Sequence, residues 1–206
     1  MTEAPWIAEQ LRGRGIHDER VLAAMARVPR ELFVPAQHRE AAYADGPVPL
    51  PHGQTISQPF MVALTCQGLA IAPDACVLEV GTGSGYGAAV LAELAAEVDT
   101  VERIPELAEA AGAALAAAGY ARVRVHVGDG SLGLPGRGPF DAIAVAAAAK
   151  AVPGALWEQL RQDGRIAIPL LTGRRDQRFC ILERGSGGAR LIAATRARFV
   201  PLITGD

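Results

Sequence analysis

Three glycines follow an apolar run in the segment VLEVGTGSGYGAAVLAEL. They are Gly81, Gly83 and Gly85, and the residues around them have the pattern of a buried strand that leads into a helix. Glycines at such a turn allow backbone N–H groups to approach a ligand closely, at the positive end of a helix and at the carboxyl edge of a sheet. The segment therefore predicts a binding site of the nucleotide type.

Acidic residues accompany this turn at three places. Glu79 precedes the first glycine by two residues, Glu102 closes the strand-like run VDTVE, and Asp129 lies in a GDG segment after a third predicted strand. A dinucleotide site is the competing hypothesis, because the segment from Gly83 to Ala88 also fits the G-x-G-x-x-G/A pattern, with Glu102 at a plausible distance for ribose. Against it, the glycines begin at the strand end itself, and an acid follows the third strand.

The combined pattern resembles that of S-adenosylmethionine (SAM) methyltransferases. On this resemblance, Glu102 accepts hydrogen bonds from both ribose hydroxyls, Asp129 meets the exocyclic amine of adenine, and Glu79 reaches the methionine amino group directly or through water. SAM is thus the predicted cofactor, with S-adenosylhomocysteine as its product and no metal. The predicted cofactor-binding residues are Glu79, Gly81, Thr82, Gly83, Ser84, Gly85, Glu102, Arg103, Asp129 and Gly130.

A second segment, DGPVPLPHGQTISQPF, offers hydroxyl groups in a region rich in proline and glycine. Thr55 and Ser57 lie just before an apolar run led by Pro59, and no evident histidine–aspartate pair accompanies them to activate a serine. The competing interpretation is that Ser57 only caps the following helix. We assign no catalytic role to any histidine, including His52 beside this segment.

Several further segments carry a closer resemblance that spans most of the chain. The chain is similar to the protein-L-isoaspartate O-methyltransferase family, which repairs aged Asp and Asn sites. The glycine turn is shared by many methyltransferases, whereas GQTISQP and RFVPL are much narrower motifs. The matching segments are VPRELFV at 28–34, AYADGPVPLPHGQTISQPFMVA at 42–63, VLEVGTGSGY at 77–86, VERI at 101–104, GDG at 128–130, PFDAIAV at 139–145 and RFVPLITG at 198–205.

The resemblance implies methyl transfer from SAM to the side-exposed α-carboxylate of an L-isoaspartyl residue. The ester then closes to a succinimide, which hydrolyses partly to normal aspartate. Ser57 corresponds to the active-site serine of the family. The resemblance further implies a set of substrate-binding residues, which are Gln54, Thr55, Ile56, Val200, Pro201 and Leu202.

This chemistry explains the absence of an activating pair. A carboxylate nucleophile with a pKa of about 4 is already ionised at neutral pH, so no general base is required. The reaction joins an anion to a sulfonium cation and removes both charges, and a water-excluding, oriented pocket should therefore accelerate it. Ser57 need only hydrogen-bond one carboxylate oxygen and leave the other facing the methyl group.

One segment departs from the family pattern. Family members commonly continue the strand FDAIAV with a Thr-Ala-Ala-Pro-like stretch, whereas this chain has AAAAK from Ala146 to Lys150. The departure puts substrate detail in doubt, although a solvated Lys150 is the simpler interpretation. Two alternatives to repair stay open: a relative that methylates an ordinary aspartate in one biosynthetic peptide precursor, and a SAM-binding sensor without turnover.

The elements that position these residues alternate between strand and helix. The sequence predicts helices over 18–28 and from Pro59, then strands at 76–81, 98–102, 123–128 and 140–147 with helices between them. A helix over 153–161, a strand over 164–171 and an antiparallel pair over 177–184 and 189–202 follow. The predicted class is α/β: a Rossmann-like class I SAM methyltransferase fold with a mostly parallel sheet, helices on both faces, antiparallel C-terminal strands and an N-terminal helical extension.

Length and composition bound the remaining possibilities. The 206 residues, half of them hydrophobic, predict one domain over 1–206, with an extension and substrate loop at 1–70 and a cofactor-binding core at 71–206. A net charge of −2 gives no electrostatic reason to expect nucleic acid.

No apolar run suggests a membrane span, and GRRDQR (173–178) is predicted to be a solvated turn. Three cysteines without a CxxC pattern favour a reducing cytoplasm over a metal site, and we expect a monomer.

Overall fold

The N-terminal part of the chain is helical. The computed structural model describes residues 4–174 and 176–205. Helix α1 spans Pro5–Gln10 and helix α2 spans Glu19–Arg27, and 3-10 turns follow at Arg30–Leu32 and Ala36–Ala41. The Asp18 carboxylate caps α2 by accepting the backbone N–H groups of Arg20 and Val21. The helix predicted over 18–28 is thereby confirmed.

The proline-rich region contains more order than its composition indicates. Strands β1 (Val48–Pro49) and β2 (Thr55–Ile56) form a small antiparallel ribbon, with a 3-10 turn at Pro51–Gly53 between them. Helix α3 then spans Pro59–Leu69, with proline in its first turn as predicted. The ribbon fixes the segment that leads to Ser57, so this segment is not an irregular loop.

A seven-stranded sheet forms the core. Its order is β5-β4-β3-β6-β7-β8-β9, with the first five strands parallel and the last two antiparallel. This topology confirms the predicted fold class. The elements are β3 (Cys76–Val80), α4 (Tyr86–Leu94), β4 (Glu97–Glu102), α5 (Pro105–Ala117), β5 (Arg124–Val127), β6 (Phe140–Val145), α6 (Gly154–Gln159), β7 (Leu160–Leu171), β8 (Gln177–Gly185) and β9 (Gly188–Arg196).

The two faces of the sheet carry different side chains. Along β3, Val77 joins the hydrophobic cluster that contains helices α2, α3 and α4, whereas Leu78 and Val80 join the cluster around α6. Glu79 shares its face with Val77 because side chains alternate along a strand. The carboxylate of Glu79 is therefore placed beneath α4, on the face where the N-terminal helices also pack.

The start of strand β7 differs most among the predicted starts of strands β3 to β9. Strand β7 begins at Leu160, directly after α6, and its pairing with β6 jumps from Phe140–Leu160 to Ala142–Arg165. This irregularity hides the start of the strand from a pattern of alternating residues.

Among the described residues, no helix is both long and apolar enough to cross a membrane.

The last strand is shorter than the one predicted over 189–202. Strand β9 ends at Arg196, and the following residues leave the hairpin and cross to Ala148. The Ala148 N–H donates to the Val200 carbonyl at 2.7 Å, and the Leu202 N–H donates to the Ala148 carbonyl at 2.8 Å. Pro201 fits between them because this bridge requires no N–H from the central residue.

Candidate active site

A large cavity lies at the carboxyl edge of the parallel strands. Its volume is about 1040 Å³, just above the range of about 300–1,000 Å³ for ligand pockets. The ends of β3, β4 and β6 contribute one side, while the β2 segment and residues 195–203 contribute the other. The cavity has room for a nucleoside-sized ligand and part of a second one.

The glycine turn fits its surroundings at two close contacts. Gly85 has φ +88°, and a Cβ there would lie 3.1 Å from Cγ of Leu115. A Cβ on Gly87 would lie 2.3 Å from Oε1 of Glu79. The first turn of α4 therefore rests on the Glu79 carboxylate, an approach that a larger residue would block.

Glu79 is a buried carboxylate without a cationic partner among the described residues. Its side chain accepts a hydrogen bond from the Thr100 hydroxyl at 2.7 Å, and Thr100 in turn lies 2.6 Å from the Thr82 hydroxyl. Burial raises the pKa of Glu79 to about 8, and the nearby Glu102 charge adds to the shift while the Thr100 hydrogen bond opposes it. A ligand cation would relieve this unfavourable burial.

Glu102 closes β4 and is held in one orientation by the backbone. Its Oε2 accepts the Gly83 N–H at 2.9 Å, and its Oε1 accepts the Ile104 N–H at 3.1 Å. Each carboxylate oxygen retains capacity for a further hydrogen bond. The residue can therefore accept hydroxyl donors from a ligand in the cavity.

Asp129 contacts the end of the chain. Its Oδ1 accepts the Ser131 N–H at 2.8 Å, and its Oδ2 accepts the Gly205 N–H, also at 2.8 Å. Arg103 donates to the carbonyls of Ile203 and Gly205 at 3.2 and 3.3 Å. Residues 203–205 thus contact both Arg103, which follows strand β4, and Asp129, which follows strand β5.

The structure brings most of the predicted cofactor residues together. Gly85 and Asp129 are not part of the cavity lining, since Gly85 packs behind the turn and Asp129 binds Gly205. The predicted residues that line the cavity are Glu79, Gly81, Thr82, Gly83, Ser84, Glu102, Arg103 and Gly130.

All of the residues predicted to bind substrate line the same cavity, and so does Ser57. The hydroxyl of Ser57 makes no hydrogen bond to any described residue, whereas its backbone carbonyl accepts one from Arg30 at 2.9 Å. Gln58 is the N-cap of α3 and makes no side-chain cap bond, so the interpretation of Ser57 as a helix cap is wrong. The predicted substrate residues in the lining are Gln54, Thr55, Ile56, Val200, Pro201 and Leu202.

Some residues that shape the cavity were not predicted from the sequence. Gln177 binds both the N–H and the carbonyl of Phe199, at 2.7 and 3.2 Å, and so anchors the segment that crosses to Ala148. Arg30 holds Ser57 from within the core. No local pattern marks either residue, because their partners are distant in sequence. Ala146 lines the cavity beside Gly81, whereas Lys150 is exposed and outside the lining.

Comparisons with known proteins agree with this geometry. The family model of protein-L-isoaspartate(D-aspartate) O-methyltransferase matches residues 3–206. A protein-L-isoaspartate O-methyltransferase from Gloeobacter violaceus is 52% identical over 196 residues, covering 95% of this chain and 96% of the relative. A protein-L-isoaspartate O-methyltransferase from Roseiflexus sp. (strain RS-1) is 52% identical over 192 residues, covering 93% of this chain and 88% of the relative.

A solved structure extends the agreement to the fold. A protein-L-isoaspartate O-methyltransferase structure from Plasmodium falciparum, in complex with S-adenosyl-L-homocysteine, superposes with a TM-score of 0.82 at 25% identity and covers 98% of this chain and 99% of its own. The family model and the bacterial relatives each span nearly the whole chain. This chain therefore belongs to the protein-L-isoaspartate(D-aspartate) O-methyltransferase family.

Proposed function

We propose that this chain transfers the methyl group of SAM to the side-exposed α-carboxylate of L-isoaspartyl residues in damaged proteins and peptides. The observation that carries the proposal is that one cavity is lined by the glycine turn, by Ser57 and by residues 200–202. Membership of the family supports this activity. The bound S-adenosyl-L-homocysteine in the Plasmodium relative supports SAM as the methyl donor.

The cofactor side of the cavity fits SAM in charge. Glu79 offers a buried carboxylate that has no cationic partner among the described residues, which suits the ammonium group of the methionine moiety. Glu102 is held by two backbone N–H groups and suits the ribose hydroxyls. When bound, SAM supplies a methyl group activated by a sulfonium charge. Asp129 is proposed to serve adenine, which requires its side chain to share or exchange its bond with Gly205.

The substrate side supplies orientation and no proton transfer. Ser57 donates its otherwise unused hydroxyl to one carboxylate oxygen of the isoaspartyl residue and leaves the other oxygen directed at the methyl group. The incoming carboxylate is ionised at neutral pH, so the chain needs no general base. Apolar residues that line this part of the cavity, Ile56, Phe60 and Met61, exclude water from the reacting charges.

The competing hypotheses receive less support. A dinucleotide site does not fit membership of a methyltransferase family. The relatives about 50% identical to this chain are named as isoaspartate methyltransferases, which favours repair over methylation of one peptide precursor. The Ser57 hydroxyl lines the shared cavity and has no hydrogen-bond partner among the described residues, which favours an enzyme over a sensor.

A peptide comparison tests the proposal. The protein is incubated with labelled SAM and two peptides of identical sequence, one with an isoaspartyl and one with an aspartyl residue. We expect label only on the isoaspartyl peptide, in a base-labile ester. Equal labelling of both peptides, or binding of SAM without labelling of either, would contradict the proposal.

Two further properties are proposed from the sequence. Cys66, Cys76 and Cys180 are free thiols, which supports a reducing compartment such as the cytoplasm. The proposed active state is a monomer, because one chain supplies both sides of the cavity. Sedimentation of the active enzyme tests the second statement, and a stable dimer whose dissociation abolishes activity would contradict it.

A further inference from the structure

Charged residues around the cavity separate by sign and by exposure. The acidic residues that line it, Glu79 and Glu102, are both buried. The basic residues that line it are all arginines on its exposed rim, and they are Arg14, Arg103, Arg174, Arg196 and Arg198. The chain as a whole has a net charge of −2, so the basic rim does not follow from composition.

Three of these arginines have no partner in the described part of the chain. Arg14 pairs with Asp45 at 2.9 Å, and Arg103 binds the carbonyls of residues 203 and 205. The side chains of Arg174, Arg196 and Arg198 make no hydrogen bond or ion pair with any described residue. We name these three the arginine rim.

The arginine rim borders the proposed substrate side. Arg174 lies in the turn between β7 and β8, Arg196 ends β9, and Arg198 lies two residues before Val200. Arg178 pairs with Arg196 in register across the hairpin, and the acid in this turn is Asp176, which does not line the cavity. Positive charge thus dominates the path by which the residues flanking an isoaspartyl site would enter.

We propose that the arginine rim binds acidic side chains that flank the isoaspartyl residue, so that the enzyme prefers damaged sites in acidic segments. This inference rests on the proposed function. Exposed guanidinium groups attract carboxylates with modest strength individually, and salt screens the attraction over about 10 Å. Three such groups together are expected to change kcat/KM by about tenfold between acidic and basic flanks.

Peptides of one design test the preference. Three isoaspartyl peptides carry glutamate, glutamine or lysine at the same flanking positions, and kcat/KM is measured for each at low and high salt. We expect the order glutamate, glutamine, lysine at low salt, mainly through KM, and a smaller spread at high salt. Equal kcat/KM for all three would overturn the inference while leaving isoaspartyl methylation intact. Absence of methylation of every peptide would overturn both proposals.

Paired variants assign the preference to the rim. The double variant Arg196→Gln, Arg198→Gln should lose most of the preference for the glutamate peptide. Arg190→Gln is the matched control, because Arg190 lies on the same strand β9 but pairs with Glu183 and does not line the cavity. Unchanged preference in the double variant, or equal loss in the control, would contradict the assignment.

A different observation, the complete burial of Arg30, carries a second inference. Its exposed fraction is 0%, and no carboxylate among the described residues pairs with it. Nε donates to the Ala42 carbonyl at 2.6 Å and Nη2 donates to the Ser57 carbonyl at 2.9 Å. The guanidinium lies over the ring of Tyr86, 4.5 Å from its centroid, and Nη1 has no hydrogen-bond partner there.

These contacts join the two sides of the cavity. Ser57 belongs to the proposed substrate side, and Tyr86 is the first residue of α4, which follows the glycine turn. Isolated burial of a cation is unfavourable, so the carbonyls and the ring must hold the guanidinium in one position. We infer that Arg30 is a positioning residue that fixes the orientation of the Ser57 hydroxyl through the Ser57 backbone.

A double-mutant cycle tests this inference. Arg30→Lys keeps the charge but lacks the planar fork that reaches two carbonyls at once. We expect it to lower kcat about tenfold or more in the wild-type background and to have little further effect on kcat in a Ser57→Ala background. Rates are normalised to the fraction of protein that binds S-adenosylhomocysteine, so that misfolded protein does not count.

Arg20 provides the control. Its guanidinium donates to the carbonyls of Ile71 and Leu94, at 2.6 and 2.8 Å, and neither residue lines the cavity. Arg20→Lys should affect stability and leave the normalised kcat unchanged. Full additivity of Arg30→Lys with Ser57→Ala, or an equal loss of kcat in Arg20→Lys, would overturn the inference.

Discussion

Two buried carboxylates on adjacent strands have opposite environments. Asp99 on β4 is 1% exposed and accepts hydrogen bonds from Arg124 at 2.9 Å and from His126 at 2.7 Å, with Arg137 at 3.2 Å. Burial acts to raise its pKa, but the hydrogen bonds from Arg124 and His126 lower the pKa to about 2. Glu79 on β3 is 5% exposed and, among the described side chains, hydrogen-bonds only to the neutral Thr100, and burial raises its pKa to about 8.

The difference distinguishes a structural charge from a functional one. The protein itself neutralises Asp99, and Asp99 does not line the cavity. The described part of the protein provides no cation beside Glu79, which lies where the cavity meets the glycine turn. We therefore expect a ligand to provide that cation. Arg30 is the converse case, since it is a buried cation held by carbonyls and a ring and has no carboxylate partner among the described residues.

The largest expected effect is a loss of turnover when the uncharged Ser57 hydroxyl is removed. Ser57→Ala should lower turnover of an isoaspartyl peptide by about one to three orders of magnitude, because a positioning contact to the nucleophile is lost. Affinity for SAM should stay nearly constant, since the cofactor side is untouched. Steady-state kinetics and calorimetry on the same preparation measure both. Unchanged turnover would remove Ser57 from the mechanism.

Substitution of the uncompensated carboxylate should affect the cofactor. Glu79→Gln keeps the shape and the hydrogen bond to Thr100 but cannot ionise. We expect SAM affinity to fall by about 10- to 100-fold, the loss typical of a hydrogen bond to a charged group. Titration calorimetry measures the affinity. Wild-type affinity in this variant would show that the cofactor does not use the Glu79 charge.

The matched substitution at Asp99, the carboxylate that has cationic partners, should lower stability and leave cofactor affinity unchanged. Asp99→Asn removes the anion that Arg124, His126 and Arg137 share, although Arg124 keeps its ion pair with Glu97, and we expect a loss of about 1–3 kcal/mol in the free energy of unfolding. SAM affinity should not change in the folded protein. Urea denaturation provides the measurement, and a selective loss of SAM affinity would contradict the structural assignment.

The two carboxylates should also respond to pH in opposite directions. Because folding raises the pKa of Glu79 above 4.5, its contribution to stability is full below that value and is lost as the pH rises through about 8. Folding lowers the pKa of Asp99 below 3.8, so its contribution is full above that value and is lost as the pH falls through about 2.

Denaturation curves across pH separate these contributions. Glu79→Gln should flatten the decline in stability of the ligand-free protein between pH 4.5 and about pH 8. Asp99→Asn should flatten the decline on the acid side and leave the alkaline side as in the wild type. Identical pH profiles for the two variants would remove the distinction between the two sites.

Local patterns predicted the parts of the molecule that depend on local sequence. The glycine turn, the acids at strand ends and the α/β order each follow from spacing within a short window, and the structure has them as expected. The segment around Ser57 was identified by resemblance. Its short ribbon was missed, because each of its strands has only two residues and gives no periodicity.

Long-range contacts account for what the sequence did not reveal. Gln177 anchors Phe199, Arg30 reaches Ser57, and residues 197–202 cross to Ala148. The turn predicted over 173–178 is exposed at 173, 174 and 176, position 175 lies outside the described residues, and strand β8 begins at Gln177. The place of this turn beside the cavity depends on how the C-terminal hairpin packs. The partner cations of Asp99 likewise come from a neighbouring strand and from a loop.

A crystal structure with S-adenosylhomocysteine and an isoaspartyl peptide would test the central claim most directly. We expect the amino group of the cofactor product to contact Glu79, directly or through one water, and one oxygen of the peptide carboxylate to lie within hydrogen-bond distance of the Ser57 hydroxyl. The second carboxylate oxygen should face the sulfur. A cofactor product bound away from the glycine turn, or a Ser57 hydroxyl remote from the peptide carboxylate, would contradict it.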